Sequence, residues 1–144
     1  MFLGEYVHSL DNKGRLTIPA RFRDQLATGL VVTRNPAGGC LWVMPLDEWQ
    51  AMAERVSSLP MTDQRSALLR RALFSAAEEL KPDKQGRILI SQRLRDFAKI
   101  DGEVLVAGMN TYIELWNPEE WETQVLSQLA DEQVTKELFE TLGV

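Results

Sequence analysis

The sequence predicts an α+β protein built from two copies of one unit, and three observations support this prediction. A stretch of sixteen residues occurs twice, at 11–26 and at 83–98, an offset of 72 residues in a chain of 144. Residues 45–49 and 117–121 match at the same offset, each pairing two acidic residues with a final Trp. Short alternating runs, typical of strands, are separated by turn residues and short helical segments.

The repeat is specific, because seven of its sixteen aligned positions are identical. The identical pairs are Asp11 with Asp83, Gly14 with Gly86, Arg15 with Arg87, Ile18 with Ile90, Arg21 with Arg93, Arg23 with Arg95 and Asp24 with Asp96. Each copy begins with an Asp-x-x-Gly-Arg turn, in which Asp can bond its own backbone and Gly can adopt a positive φ.

The elements are predicted in the same order in both units. In the first we expect a strand at 5–10, a turn at 11–14, a strand at 15–18, a short helix at 20–27, a hairpin at 30–33 and 40–44, and a helix at 47–58. In the second we expect strands at 79–81 and 87–90, a helix at 92–97 capped by Ser91, a hairpin at 103–107 and 112–116, and helices opened by Pro118 and spanning 131–142. The predicted domains are 1–60 and 77–144, joined by a helical segment at 61–76, and packed as one body.

Composition excludes several classes of protein. No apolar run reaches the roughly 18 residues that a membrane span needs, and the first residues lack the basic and apolar regions of a secretory signal. Cys40 is the only cysteine and His8 the only histidine, so neither an intrachain disulfide nor a Cys/His metal cluster is expected. The single cysteine fits a reducing, cytoplasmic setting. No recognisable catalytic motif is present, so we expect neither an enzyme nor a cofactor.

The net charge of −5 does not favour nucleic acid, but the charges are unevenly distributed. Residues 117–144 carry seven acids and one base, whereas residues 81–99 carry six bases and two acids. Opposite charges further apart than a Debye length of about 8–10 Å are largely screened. A local basic surface therefore remains compatible with DNA.

The arginine that ends each turn is the strongest functional signal. A turn does not require Arg at its exit, and Arg15 and Arg87 suit contact with a DNA groove or phosphate. The alternative is structural, with each arginine paired to the Asp of its own turn. Arg21 and Arg93 are weaker DNA candidates. Arg23 and Arg95 are expected to pair with Asp24 and Asp96, and the matched residues Trp49 and Trp121 to anchor packing.

The opening Met-Phe-Leu-Gly-Glu-Tyr and the Asp-Asn-Lys-Gly-Arg-Leu-Thr-Ile-Pro-Ala-Arg-Phe-Arg segment closely resemble the bacterial MraZ family, as do the paired motifs at half-length. The resemblance implies two SpoVT/AbrB-like swapped-hairpin units that form one pseudo-twofold, double-split β-barrel with peripheral helices. It also implies a sequence-specific transcriptional regulator at the promoter of the division and cell-wall gene cluster, including its own gene.

The resemblance further implies double-stranded DNA with short direct repeats as a partner, a ring-shaped homo-oligomer and association with the nucleoid, with no membrane or small-molecule substrate. It assigns DNA contact to Lys13 and Arg15 in the first copy. In the second it assigns Arg87 with Lys84 as a neighbour, because position 85 is Gln. Ser91 also replaces Pro19, so the two copies need not contribute equally. A protein-interaction or antitoxin-like module, in which the turns are structural, remains the alternative.

Overall fold

A computed structural model describes residues 1–143, so the last residue of the predicted segment 77–144 lies outside the described residues. The first half contains strands β1 (Glu5–Ser9), β2 (Arg15–Thr17), β3 (Leu30–Arg34) and β4 (Leu41–Pro45). A 3₁₀ turn (Ala20–Phe22) leads into helix α1 (Arg23–Leu26), and helices α2 (Leu46–Ser57) and α3 (Gln64–Phe74) follow β4.

The second half repeats this order. It contains β5 (Glu78–Leu80), β6 (Arg87–Leu89), helix α4 (Gln92–Phe97), β7 (Glu103–Gly108) and β8 (Ile113–Trp116). A helical segment then runs through α5 (Pro118–Trp121), a π-helical stretch (Glu122–Leu126) and α6 (Ser127–Leu129), and α7 (Glu132–Leu142) follows. Ser91 caps α4 by accepting a hydrogen bond from the Leu94 amide, as predicted.

The two halves are interlocked by their strand pairing. One antiparallel sheet has the order β1-β7-β8-β4-β3-β5, and a second sheet consists of β2 and β6 alone. Strand β1 of the first half pairs with β7 of the second, and β5 of the second half pairs with β3 of the first. The like strands β4 and β8 pair with each other, as do β2 and β6. The halves therefore form one body with a pseudo-twofold relation.

The structure confirms the mixed α+β class. Within residues 1–143 the strands form two separate sheets and no closed, hydrogen-bonded barrel. The physical reason is that β1 and β5 are the outer strands of the larger sheet, and neither hydrogen-bonds to β2 or β6. The double-split barrel therefore stays a prediction.

The core lies between the two sheets and draws on both halves. Leu16 and Ile88, from the small sheet, are 2% and 3% exposed and pack with the buried residues of β3, β4, β7 and β8. A second cluster contains Cys40, Trp116 and Trp121. Burial raises the pKa of the Cys40 thiol to about 12, so this cysteine is a protonated core residue at neutral pH.

The matched tryptophans pack as predicted. Trp121 is buried and meets the Trp116 ring edge-on at a centroid distance of 5.7 Å. Trp49 is partly buried and contacts Phe74 of α3 at 5.7 Å. Among residues 1–143, no helix combines the length and apolar character needed to cross a lipid bilayer.

Candidate nucleic-acid interface

The Asp11 turn is a compact structure held by the carboxylate at its start. Oδ1 of Asp11 accepts hydrogen bonds from the backbone amides of Lys13 and Arg15 at 2.9 and 2.8 Å. Its Oδ2 accepts the Arg15 Nε–H at 2.6 Å. Gly14 has a φ of +85°, a conformation that side chains disfavour. The turn thus fixes both the backbone and the first guanidinium nitrogen of Arg15.

The second copy repeats this geometry. Asp83 accepts the backbone amides of Gln85 and Arg87, each at 2.9 Å, and the Arg87 Nε–H at 2.8 Å. The hydrogen bond from the Arg15 amide is the main cause that lowers the pKa of Asp11 from 3.8 to about 2. The Arg87 amide lowers the pKa of Asp83 in the same way. Both carboxylates are therefore charged at neutral pH.

The Asp–Arg clamp, which is the structural alternative to DNA contact, is present in both copies, but it does not bury the arginines. The side chains of Arg15 and Arg87 remain 31% and 28% exposed. Each carboxylate engages only Nε, and among residues 1–143 the two terminal nitrogens of each guanidinium have no hydrogen-bond partner. A guanidinium presents five donors in a planar fork, so most of that fork remains available to a ligand.

The small sheet brings both turns onto one surface. In the β2–β6 register, Arg15 lies opposite Leu89 and Thr17 opposite Arg87. Directly opposite residues share a sheet face, and diagonal neighbours lie about 7–8 Å apart. Arg15 and Arg87 therefore project from the same outer face, because Leu16 and Ile88 fill the inner one. Because the strands are antiparallel, the two turns lie at opposite ends of this short sheet, and their arginines project from one face of it.

The other predicted contacts divide into two groups. Lys13 and Lys84 are exposed within the two turns, beside the arginines. Arg21 lies elsewhere and donates a long hydrogen bond of 3.4 Å to the hydroxyl oxygen of Tyr6. Arg93 donates to the carbonyl oxygens of Ser75 and Ala76 and to Glu78, all at 3.4 Å. Arg21 and Arg93 are thus near the β1 and β5 strands, not within the turns.

Arg23 and Arg95 lie beside the turns instead, which the sequence did not predict. Arg95 passes over Gly14, where an added Cβ would lie 2.8 Å from the guanidinium carbon, and Arg23 passes over Gly86. The expected pairs with Asp24 and Asp96 are wrong, since Arg23 and Arg95 donate to the carbonyl oxygens of Ile18 and Ile90. Their identity between the two copies was the available signal.

The two turns and the arginines packed on them carry more cationic than anionic side chains. They have six cationic side chains and the carboxylates of Asp11 and Asp83, while Asp96 and Asp101 line a cleft with Arg95. The cations are Lys13, Arg15, Arg23, Lys84, Arg87 and Arg95. Within residues 1–143, no group of three or more His, Cys, Asp and Glu side chains could hold a metal ion. The two related turns therefore present an excess of cationic side chains.

Fold and site together define a class of protein: a duplicated unit whose halves exchange strands and display paired basic turns. A family model described as MraZ protein, and as antitoxin-like, matches residues 1–72 and 73–142. The chain belongs to the MraZ family.

Relatives in several bacteria carry the name "Transcriptional regulator MraZ". One from Roseiflexus castenholzii is 48% identical over 129 residues, which cover 90% of this chain and 89% of the relative. One from Herpetosiphon aurantiacus is 47% identical over 132 residues, or 92% of this chain and 91% of the relative. One from Carboxydothermus hydrogenoformans is 40% identical over 143 residues, or 99% of each. These names are those of regulators and not of enzymes, in agreement with the sequence prediction.

Proposed function

We propose that the chain is a DNA-binding transcriptional regulator that contacts DNA through its two arginine turns. The observation that supports this most directly is the common outer face of β2 and β6, from which Arg15 and Arg87 both project with unbonded terminal nitrogens. Such nitrogens match the O6 and N7 acceptors of guanine or a phosphate oxygen. Lys13 and Lys84 would add phosphate contacts beside them.

The proposal includes a particular operator and assembly. The chain acts at the promoter of the division and cell-wall gene cluster, including its own gene, and so works in the cytoplasm at the nucleoid. Each bidentate base contact gives only about 1–3 kcal/mol of discrimination, which is little for a chain of net charge −5. A ring of several copies, set against short direct repeats, would gain roughly 10²–10⁴ in avidity.

The first test is a binding titration with DNA from upstream of the chain's own gene, at two salt concentrations. We expect the wild-type affinity to fall steeply with salt, because phosphate contacts release counterions. We expect Arg15→Ala to weaken binding about 5–150-fold, the loss of one good base contact. Arg87→Ala should be milder, because Gln85 replaces the lysine found at position 13.

The matched control is Arg65→Ala, which removes one positive charge at an exposed position of α3, outside the small sheet. This variant should bind like the wild type, and oligomer size should be measured for every variant. If Arg15→Ala and Arg87→Ala both bind as tightly as wild type with unchanged salt dependence, the turns do not contact DNA.

A second candidate function is a protein-interaction or antitoxin-like module in which the turns are purely structural. The Asp–Arg clamps at 2.6 and 2.8 Å favour it, since a clamp needs no ligand. The same variants separate the two functions: under this alternative, Arg15→Ala lowers thermal stability or disrupts the oligomer without a specific loss of DNA affinity.

A further inference from the structure

We propose that Arg23 and Arg95 are positioning residues that act across the two units, each bracing the arginine turn of the opposite unit. Arg95 of the second unit thereby holds the Arg15 turn, and Arg23 of the first unit holds the Arg87 turn. The part of this inference that concerns DNA rests on the proposed function, whereas the bracing itself does not.

The brace on the first turn is a closed chain of contacts. The Gly14 carbonyl oxygen accepts the Ile90 amide at 3.0 Å. The Ile90 carbonyl oxygen accepts the Arg95 Nε–H at 2.9 Å. The Arg95 guanidinium then lies across Gly14, where an added Cβ would be 2.8 Å from Cζ and 2.9 Å from Nε. This series of contacts starts at Gly14, passes through Ile90 and Arg95 of the second unit, and ends again at Gly14.

The second turn has the same series of contacts, with the roles of the two units exchanged. The Gly86 carbonyl oxygen accepts the Ile18 amide at 2.8 Å. The Ile18 carbonyl oxygen accepts the Arg23 Nε–H at 2.9 Å. A Cβ at Gly86 would lie 2.7 Å from Nε of Arg23. The arrangement recurs under the pseudo-twofold relation, so it is not an accident of one side chain.

The glycines have a second role in this arrangement. A positive φ alone would make Gly preferable at 14 and 86, but Asn tolerates that conformation as well. A Cβ at either position would lie less than 3.0 Å from the arginine of the opposite unit, so any side chain there would displace that arginine. Glycine therefore admits the opposite unit's arginine as well as permitting the turn.

A braced turn presents its arginine in a fixed direction. Arg15 is held by Asp11 at Nε, and Asp11 is held by the turn, so movement of the turn would carry the guanidinium with it. Preorganisation of a contact residue raises affinity by lowering the ordering cost of binding. Loss of the brace should therefore weaken the contact of the opposite unit's arginine while that arginine is still present.

The protein-only test is amide hydrogen exchange in the full chain. Arg95→Gln should speed exchange of the Lys13, Gly14 and Arg15 amides about tenfold, through easier local opening, and leave the second turn unchanged. Arg23→Gln should do the reverse. Gln92→Ala, an exposed change on the same helix as Arg95, should alter neither turn. Equal acceleration of both turns, or acceleration of the turn in the same unit, would overturn the bracing.

The DNA test is a double-mutant cycle on the same titration. Arg95→Gln should weaken binding about tenfold in the wild type, a usual size for coupled neighbours. It should have little effect when Arg15 is already Ala, and its full effect when Arg87 is already Ala. Equal effects of Arg95→Gln in the two backgrounds would contradict the cross-unit assignment.

Arg95→Lys separates bracing from direct contact with phosphate. Lysine keeps the charge and binds phosphate as a point charge, but it lacks the planar guanidinium and the Nε donor. Bracing predicts that Arg95→Lys loses affinity as Arg95→Gln does, and retained affinity overturns it. This milder variant also serves for the exchange measurement if Arg95→Gln unfolds.

Failure of the inference and failure of the proposed function are distinguishable. If the wild type does not bind the DNA, the proposed function fails, and the exchange measurement still decides the bracing. If the wild type binds and Arg15→Ala does not, but exchange responds equally in both turns, the proposed function stands and the bracing is wrong.

Discussion

The carboxylate of Asp11 orders a whole turn through three hydrogen bonds, two from backbone amides and one from Arg15 Nε. All three donors favour the charged form of the acid, which is why its pKa is lowered. A neutral carboxylic acid would accept these bonds more weakly and could not form the ion pair. The negative charge of Asp11 therefore fixes the orientation of the Arg15 side chain.

This predicts a carboxyl titration of Asp11 near pH 2. Because the folded pKa lies below its ordinary value of 3.8, the contribution of Asp11 to stability is fully present above about pH 4 and is lost as the pH falls toward 2. Carboxyl ¹³C shifts should show this directly. In Arg15→Ala the pKa of Asp11 should rise part of the way, since the backbone amide remains, while that of Asp83 stays low. A wild-type Asp11 that titrates at 3.8 would contradict the clamp.

At the residue scale, the sequence left the partner of each turn arginine open between DNA and the Asp of its own turn. The structure contains the Asp–Arg pair in both copies, since both groups lie four residues apart on one bend. The proposed partners of Arg23 and Arg95 failed because sequence neighbours on a helix do not face each other. Each guanidinium reaches back instead to the carbonyl at the end of the preceding strand. Nothing in the local pattern shows which glycine it then covers, because that glycine belongs to the other unit.

The small sheet is the element that holds the two turns together, and it is only three residues long on each strand. Ladders this short contribute few hydrogen bonds, so the attachment depends on side chains that reach the core. Leu16 and Ile88 provide it at 2% and 3% exposure, while the neighbouring Leu89 is 52% exposed on the outer face. Along β6, Ile88 therefore packs in the core, whereas the next residue, Leu89, lies on the exposed face.

Ile88→Ala should therefore lower the free energy of unfolding by about 2–5 kcal/mol, the usual cost of truncating a buried aliphatic side chain. Leu89→Ala, one residue away on the outer face, should change it by no more than about 0.5 kcal/mol. Urea denaturation of both variants measures the difference. Similar losses for the two variants would show that β6 is not anchored as described.

Most element bounds agreed with expectation, for physical reasons that act locally. Gln92–Phe97 was predicted as found, because Ser91 provides a side-chain cap. The expected helix at 20–27 is a 3₁₀ turn followed by one turn of α-helix, since tertiary packing of Phe22 and Leu26 decides so short a segment. Alternation predicts which face of a strand is buried, but it does not predict the partner strand. The exchange of β1 and β5 between halves was therefore suggested only by the family resemblance.

On the scale of the whole molecule, neither half is self-sufficient. If the halves were separated, β1 would lose β7, β3 would lose β5, and β2 and β6 would lose each other. The buried faces of those strands would then meet water. The core is formed by both units together, and neither unit forms it alone.

A fragment of residues 1–72 should accordingly not fold as a monomer, and the same holds for 73–144. Each should be unfolded alone or should self-associate, because only a second unit can provide the missing strands. Mixing the two fragments should restore native circular dichroism and a 1:1 complex by light scattering. A stable, folded monomer of either fragment would contradict the interlocked core.

Covalent duplication also changes what the paired turns can become. Two separate copies of one unit would be bound by exact symmetry, and their turns would be forced to read inverted, palindromic half-sites. Here the two turns already differ, since Lys13 in the first corresponds to Gln85 in the second. Because both units belong to one chain, a substitution in one turn leaves the other unchanged. Under the proposed function, the two turns are therefore free to evolve contacts to different DNA sequences.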